Sequence, residues 1–360
     1  EVGAGGGSLV SIDPAGGVVV GPKSAGADPG PACYRRGNTK PTVTDANVAL
    51  GFVDPTIFAG GQVQIDRELA EQAIRETVCA STGSTVDEAA HGIRRIANAH
   101  MARAIKSVST YKGRDPRDFK MIAYGGNGGL HGPDLAAQLG MTHVVVPPAA
   151  GVFSALGLLC ADIEVTASVP FNVAIGGVVW PDVARAIADA ARRNASRLRE
   201  PAKVRLGVSL LMRYAGQAFE LAVPVELEEF ERSDVEKRVR AAFEEVYVRT
   251  YGYRGGADLR VELVSARLRL TQMAARSIGD ILTGLGTGDV RRSNRRCYFG
   301  PEFGHVDTPV LSRAAVPSEP MAGPVIVAEG DCTTVVPPEA CLWRDAHHNL
   351  RIELSTEVAA

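Results

Sequence analysis

Four of the five residues Gly3-Ala4-Gly5-Gly6-Gly7 are glycine, and Ser8 follows them. A backbone without Cβ atoms turns sharply and points several N–H groups at one acceptor. Gly3, Gly5, Gly6 and Gly7, with the Ser8 hydroxyl, therefore have the chemistry of a cradle for phosphate or carboxylate. A second cluster, Gly125-Gly126-Asn127-Gly128-Gly129, follows the apolar run Phe119–Tyr124 and precedes His131–Leu139, which predicts a helix. Strand, glycine turn, helix is how open α/β folds bind ligands at the carboxyl ends of strands. Two such turns predict an α/β fold in which both face one cleft.

The rest of the composition narrows the class. A chain of 360 residues is long enough for two or three domains. Its formal net charge of -2, with no basic block, argues against nucleic acid as the main partner. No apolar run is long enough to span a membrane, and no secretory signal is read, so the expected location is the cytoplasm. Cys33, Cys79, Cys160, Cys297, Cys332 and Cys341 are scattered without zinc spacing, as free thiols in a reducing compartment would be. The chain opens on Glu1 in the middle of a glycine loop, so it reads as a fragment that lacks an N-terminal part.

Three domains are expected, over 1–168, 169–283 and 284–360. In the first, Leu9–Ile12 and Val18–Val20 predict a hairpin. The long Pro/Gly-rich stretch Gly21–Tyr34 has the length and irregularity of a functional loop. Thr44 or Asp45 is placed to cap a short helix that Gly51 ends, and Asp66 starts another. Thr85 and Glu88 form a capping box for a long helix through Val108. Strand Lys120–Tyr124, the second glycine turn, helix His131–Leu139 and strand His143–Val146 make a βαβ unit, and Phe153–Asp162 predicts an apolar helix. After a change of texture near Val169, helices Pro181–Arg199 and Asp234–Thr250 alternate with strands Val204–Tyr214, Phe219–Val223 and Leu259–Leu270. This is a small α+β unit. Gly284–Gly288 reads as a linker and the remainder as short strands.

Several polar residues are candidates for chemistry, each beside a structural alternative. Asp28 serves either a turn or a substrate or metal contact. Asp45 and Asn47 are either catalytic polar groups or, for Asp45, a helix cap. His131 either donates to a phosphate or substrate or makes a structural hydrogen bond. Cys33 needs a neighbouring base to act as a nucleophile and otherwise packs as a thiol. His100 reads as a core histidine, and Arg213 and Gln217 as interface residues. Tyr251-Gly252-Tyr253 reads as a turn with core aromatics. The adjacent His347 and His348 point to opposite faces of a strand, which disfavours a metal pair.

Longer blocks carry a resemblance. Gly3–Ser8, Val20–Tyr34 and Pro41-Thr42-Val43-Thr44-Asp45-Ala46-Asn47 resemble the A subunit of the hydantoinase/oxoprolinase family. That family includes N-methylhydantoinase, 5-oxoprolinase and the acetone and acetophenone carboxylases. Gly92–Asn98, Asp115–Phe119, Ser154–Leu158, Met212–Gln217, Tyr251–Tyr253 and Thr333–Pro338 extend the match along the chain. The resemblance implies a partial actin-like, acetate-kinase-like ATPase fold, followed by the α+β unit and a β-rich C-terminal region. It implies ATP with Mg²⁺, Gly3, Gly5, Gly6, Gly7 and Ser8 by the phosphates, and Gly125, Gly126, Asn127 and Gly128 by the adenosine. It further implies a B-type partner subunit in a hetero-oligomer and ATP-driven opening of a small cyclic amide (a hydantoin, 5-oxoproline or a lactam). An ATP-dependent carboxylase subunit and a non-catalytic assembly subunit are the alternatives. Two acidic Gly-Gly-Thr stretches that the family places before this loop, with its Mg²⁺-organising carboxylates, are not in the sequence. Asn127 and Gly129 stand where the family tends to have Ala and Pro.

Overall fold

The structure, a computed structural model, describes residues 2–55, 61, 63–198, 204–256, 258–284 and 288–355. They form two compact units, one of 1–156 with 279–360 and one of 157–278. The expected boundary at 168/169 thus falls near 156/157, and the C-terminal strands share the first unit instead of standing apart. Residues 285–287 of the expected linker, and Arg199 at the end of an expected helix, lie outside the described residues.

In the first unit, β1 (Ser8–Ile12) and β2 (Val18–Ser24) pair antiparallel. The short helix α1 (Val43–Ala49) begins at Thr42, whose side chain accepts the Asp45 N–H while Asp45 reaches back to the Thr42 N–H. The cap is therefore Thr42, with Asp45 closing the capping box. Asp66 caps α2 (Arg67–Ile74), which widens into a π turn at Arg75–Cys79 before α3 (Ala80–Thr82). The Thr85–Glu88 capping box starts α4 (Val86–Val108), whose Ile93 and Ala97 are fully buried.

β3 (Met121–Ile122) leads through the second glycine turn into α5 (Gly128–Gln138), and β4 (His143–Val146) returns parallel to β3. The helix thus begins three residues before the expected His131. Gly128 and Gly129 lie inside its first turn because they are pressed against neighbouring backbone. A Cβ on Gly128 would lie 3.2 Å from the Ala123 carbonyl carbon, and one on Gly129 would lie 2.7 Å from the Thr333 carbonyl oxygen. After β4 come α6 (Phe153–Leu159) and the strand β5 (Ile163–Ala174), which spans the change of texture at Val169.

The second unit continues from β5 with α7 (Trp180–Ala195), β6 (Val204–Tyr214), β7 (Leu221–Val225), α8 (Val235–Tyr251) and β8 (Val261–Gln272). Its sheet has the order β5-β8-β6-β7. The buried face of β8 changes along the strand: Val261 and Leu263 are buried at its start, then Ala266, Leu268 and Leu270. Against β6 the register slips at Leu211/Met212, where β8 carries the extra residue between Leu263 and Ser265, and against β5 it slips at Pro170/Val173, where the extra residue lies on β5. Strict alternation in the sequence could not show that slip. Arg213 pairs with Glu262 at 3.0 Å, and the Gln217 amide donates to the Tyr247 hydroxyl. Tyr251 and Tyr253 flank a left-handed Gly252, but both are exposed, with their rings against Tyr247 in tilted and edge-on contacts respectively.

Beyond α9 (Ile278–Gly284), the chain adds β9 (Arg292–Tyr298), β10 (His305–Leu311), β11 (Met321–Ala322), β12 (Val325–Ala328), β13 (Thr333–Val336), β14 (Ala340–Arg344) and β15 (Leu350–Leu354). They complete two sheets of the first unit, β13-β12-β10-β9 and β11-β14-β15-β4-β3. β15 runs antiparallel to β4, so the C-terminal strands and the βαβ unit share one sheet.

Candidate functional site

The first glycine turn is held by its carbonyls. Gly6 O accepts the Thr44 N–H at 2.8 Å and the Thr44 hydroxyl at 3.0 Å, and Gly7 O accepts the Ala25 N–H at 2.8 Å. The Ser8 hydroxyl, on a buried side chain, accepts the Gly5 N–H at 3.0 Å and so closes the turn from within. Among the described residues nothing accepts the N–H groups of Gly6 and Gly7. Gly3 and Gly7 are close-packing positions: an added Cβ would sit 2.9 Å from Pro22 Cβ and from Ser24 Oγ respectively.

The two glycine turns meet. A Cβ on Gly6 would run into the side-chain amide of Asn127 and would lie 2.7 Å from Thr44 Oγ1. From that contact the second turn opens onto a pocket of about 300 Å³. Gly126, Asn127 and Leu130 form one wall, Gly151 and Val152 another, and the turn Glu329–Thr333 a third, with Asp54 at the side. Gly3–Ser8 are not among its lining residues. Gly3 instead borders a separate hollow with Pro22, His100 and Arg103, which places His100 at a surface and not in the core.

Electrostatics differ between the walls. Asn127 precedes α5 without a side-chain capping bond, and although the Gly128 and Leu130 N–H groups donate to Gly125 O and Asn127 O, the helix N-terminus remains a positive dipole end. The acidic residues opposite are engaged. Glu329 is paired with the buried Arg313 at 2.7 Å, Asp54 with Arg295, and Asp331 accepts the Gly151 N–H at 2.9 Å. Arg313 also donates to the Val146, Pro147 and His348 carbonyls, so one guanidinium fastens the end of β4 to the turn that walls the pocket. Among the described residues no group of three or more His, Cys, Asp and Glu side chains is arranged to hold a metal ion. His348 lies in a turn at φ 61 and shares a hydrogen bond with Arg344 at 3.0 Å.

His131 is 3% exposed and follows directly on Leu130. Its Nδ1 lies 2.7 Å from Asn98 Oδ1, while Asn98 Nδ2 donates to Asp134 at 3.0 Å. An amide oxygen only accepts, so His131 carries its proton on Nδ1 and a lone pair on Nε2. That Nε2 is buried and unpartnered among the described residues. Burial, with Arg94 nearby, lowers its pKa to about 3. A neutral Nε2 accepts a hydrogen bond and does not donate one, so donation to a phosphate from this atom has no chemical basis here.

Asp45 is fully buried and takes four donors: the N–H groups of Ala32 (3.1 Å), Cys33 (2.8 Å) and Thr42 (2.8 Å), and the Thr42 hydroxyl (2.8 Å). It thereby fastens the end of the long Pro/Gly-rich loop to α1. Cys33 is buried beside it, and burial together with the Asp45 charge raises its thiol pKa. Asp28 is exposed in the same loop, away from the pocket lining.

Residues 1–167 match the family model described as hydantoinase/oxoprolinase. That stretch is similar to the hydantoinase/oxoprolinase family. The uncharacterized protein MJ0964 of Methanocaldococcus jannaschii is 34% identical over 98% of this chain and 50% of its own length. The caprolactamase alpha subunit of Pseudomonas jessenii is 31% identical over 95% of this chain and 50% of its own. The solved structure of ATP-dependent caprolactamase from that organism matches with a TM-score of 0.67 at 29% identity, over 97% of this chain and 52% of that one. A nucleotide-free acetone carboxylase structure has a TM-score of 0.84 at 23% identity, over 98% and 52%, which shows a shared mixed α/β fold. The chain spans about half the length of these curated relatives.

The glycine turns are legible in the sequence, but the polar side chains behind them are not. Arg94 and Asn98 are spaced i,i+4 beside the apolar stripe of α4, and both face Asp134, which lies one turn after His131 on α5. Paired polar residues at helical spacing on two consecutive helices were the available signal.

Proposed function

We propose that the chain is part of an ATP-dependent amidohydrolase that opens a cyclic amide after phosphoryl activation. The observation that carries this reading is the contact of Gly6 with Asn127, which sets a turn with two unclaimed N–H groups against the turn that opens the pocket. In this reading Gly5, Gly6, Gly7 and Ser8 border the phosphates, with Gly3 holding the turn. Gly125, Gly126, Asn127 and Gly128 border the adenosine, and the fold is of the actin-like ATPase type. The likeness to an ATP-dependent caprolactamase over nearly the whole chain supports the lactam class.

The chemistry needs little covalent help from the protein. The amide oxygen attacks the γ-phosphorus, ADP leaves, and the resulting O-phosphorylated imidate is attacked by water at carbon. The ring C–N bond then breaks as its nitrogen takes up a proton, a second water hydrolyses the acyl phosphate left behind, and phosphate and an amino acid are released. Backbone N–H groups of the first turn stabilise charge on the transferred group. No step is assigned to Mg²⁺, because the described residues supply no ligand set for it. Relatives named as subunits support a hetero-oligomer with a B-type partner.

The test is ATP binding by calorimetry and ADP release by the complete polypeptide with its partner subunit, offered caprolactam, 5-oxoproline and hydantoin. Cyclic amide-stimulated ADP release is expected. Stimulation by bicarbonate with a ketone instead would assign the carboxylase branch, and no nucleotide binding by the complete polypeptide would leave an assembly role.

A further inference from the structure

We propose that Arg94 is a positioning residue that sets the spacing of the two glycine turns; its effect on nucleotide affinity rests on the reading above. Arg94 is 4% exposed and sits on α4, which packs against α1, whose Thr44 holds the first turn, and against α5, which begins at the second. Its Nε donates to Asp134 Oδ2 at 2.9 Å and one terminal nitrogen to Asn47 Oδ1 at 2.9 Å. The other terminal nitrogen donates to the Leu130 carbonyl, and the guanidinium lies 4.8 Å over the Phe52 ring.

Each partner is one step from a glycine turn. Asn47 follows Thr44 by three residues on α1, and Thr44 holds the Gly6 carbonyl with both its N–H and its hydroxyl. Leu130 lines the pocket and follows Asn127 by three residues; Asp134 is one turn further along α5. One rigid group therefore grips α1 and α5 from the same side. A planar fork holds three acceptors at fixed angles, whereas a lysine ammonium on a flexible stem is a point charge without that geometry. The grip also has no slack on the α1 side, because Asn47 Nδ2 is buried without a partner and Arg94 is the Asn47 side chain's one hydrogen-bonding partner among the described residues.

Arg94→Lys tests this, with Ile93→Ala, one position away in the core, as a variant of comparable stability loss that leaves the fork intact. The measurements are amide hydrogen exchange over residues 3–9 and 126–130, and the Mg-ATP dissociation constant by calorimetry on the complete polypeptide. Arg94→Lys is expected to speed exchange in both segments and to weaken ATP about tenfold, the scale of losing charge-assisted bonds. Ile93→Ala should change neither beyond its global destabilisation. Asp134→Ala, at a half-exposed position, removes one leg of the fork if Arg94→Lys fails to fold, and should shift both readouts in the same direction. Unchanged exchange in the Arg94 and Asp134 variants, or equal changes in Ile93→Ala, would overturn the positioning role. Faster exchange in Arg94→Lys together with a wild type that binds no ATP at all would retain the spacing role and remove the nucleotide reading, so the two failures are distinguishable.

Discussion

Gly6 touches the side-chain amide of Asn127, and no Cβ fits between them. The contact joins residues 121 positions apart, from two turns that the sequence reading expects to face one cleft. Gly6→Ala must push aside both Asn127 and Thr44 Oγ1, and overpacking of this kind costs about 1–3 kcal/mol. Gly5→Ala is the internal control, because nothing lies within 4 Å of the added atom. Urea unfolding should show the loss for Gly6→Ala alone, and Gly6→Ala/Asn127→Ala should recover part of it. Equal stabilities for the Gly5 and Gly6 variants would mean the turns do not meet.

Asp45 carries a second expectation, which separates architecture from chemistry. Its carboxylate accepts three backbone N–H groups and one hydroxyl in a fully buried position. Asp45→Asn turns an amide NH₂ towards at least one of those donors. The expected loss is about 2–4 kcal/mol, the scale of breaking a buried charge-assisted network. Protease cleavage within 21–34 should accelerate in the same variant, because the loop end at Ala32 and Cys33 is released. A variant of wild-type stability would return Asp45 to the list of groups available for catalysis.

What the sequence could and could not show follows from the range of each interaction. The capping box at Thr85, the βαβ unit and the glycine turns depend on neighbours within a few residues, and their residue types announce them, whereas at α1 the cap is Thr42 and not the expected Thr44 or Asp45. The pairing of β15 with β4 brings together Leu350 and Val146, and no local pattern records a partner at that distance. The same holds for the pocket, since Glu329–Thr333 reaches it only through the sheet and the Arg313 fork. Gly128 and Gly129 also allow the close approach of α5 to Ala123 and Thr333. A glycine run looks the same in sequence whether it admits a ligand or a neighbouring backbone.

The thiols give a third test. Cys33, Cys297 and Cys332 are buried, whereas Cys79, Cys160 and Cys341 are partly accessible. Burial raises the pKa of the three buried thiols, and Asp45 adds to the effect at Cys33 and Glu329 at Cys332. Iodoacetamide at neutral pH should therefore modify no more than three sites in the folded protein, with Cys33 reacting only after urea is added. Rapid modification of Cys33 in the native state would reopen its role as a nucleophile.

His131 makes acid the sensitive direction. Its pKa is about 3 in the folded protein against 6.5 when unfolded, because burial and Arg94 oppose the charge. Between those values the unfolded chain binds a proton that the folded chain does not. Stability is therefore complete above about pH 6.5 and falls as the pH drops towards 3, by at most about 1.4 kcal/mol per unit for this group. His91, also lowered by burial, adds to the same slope. His131→Gln is neutral in both states and removes one share, so its loss of stability from pH 7.5 to 5 should be smaller than that of the wild type. Urea midpoints at the two pH values measure the difference, whatever the substitution costs at pH 7.5. Equal slopes would mean that His131 takes up its proton in the folded protein, and the buried lone pair on Nε2 would then have found a solvent path.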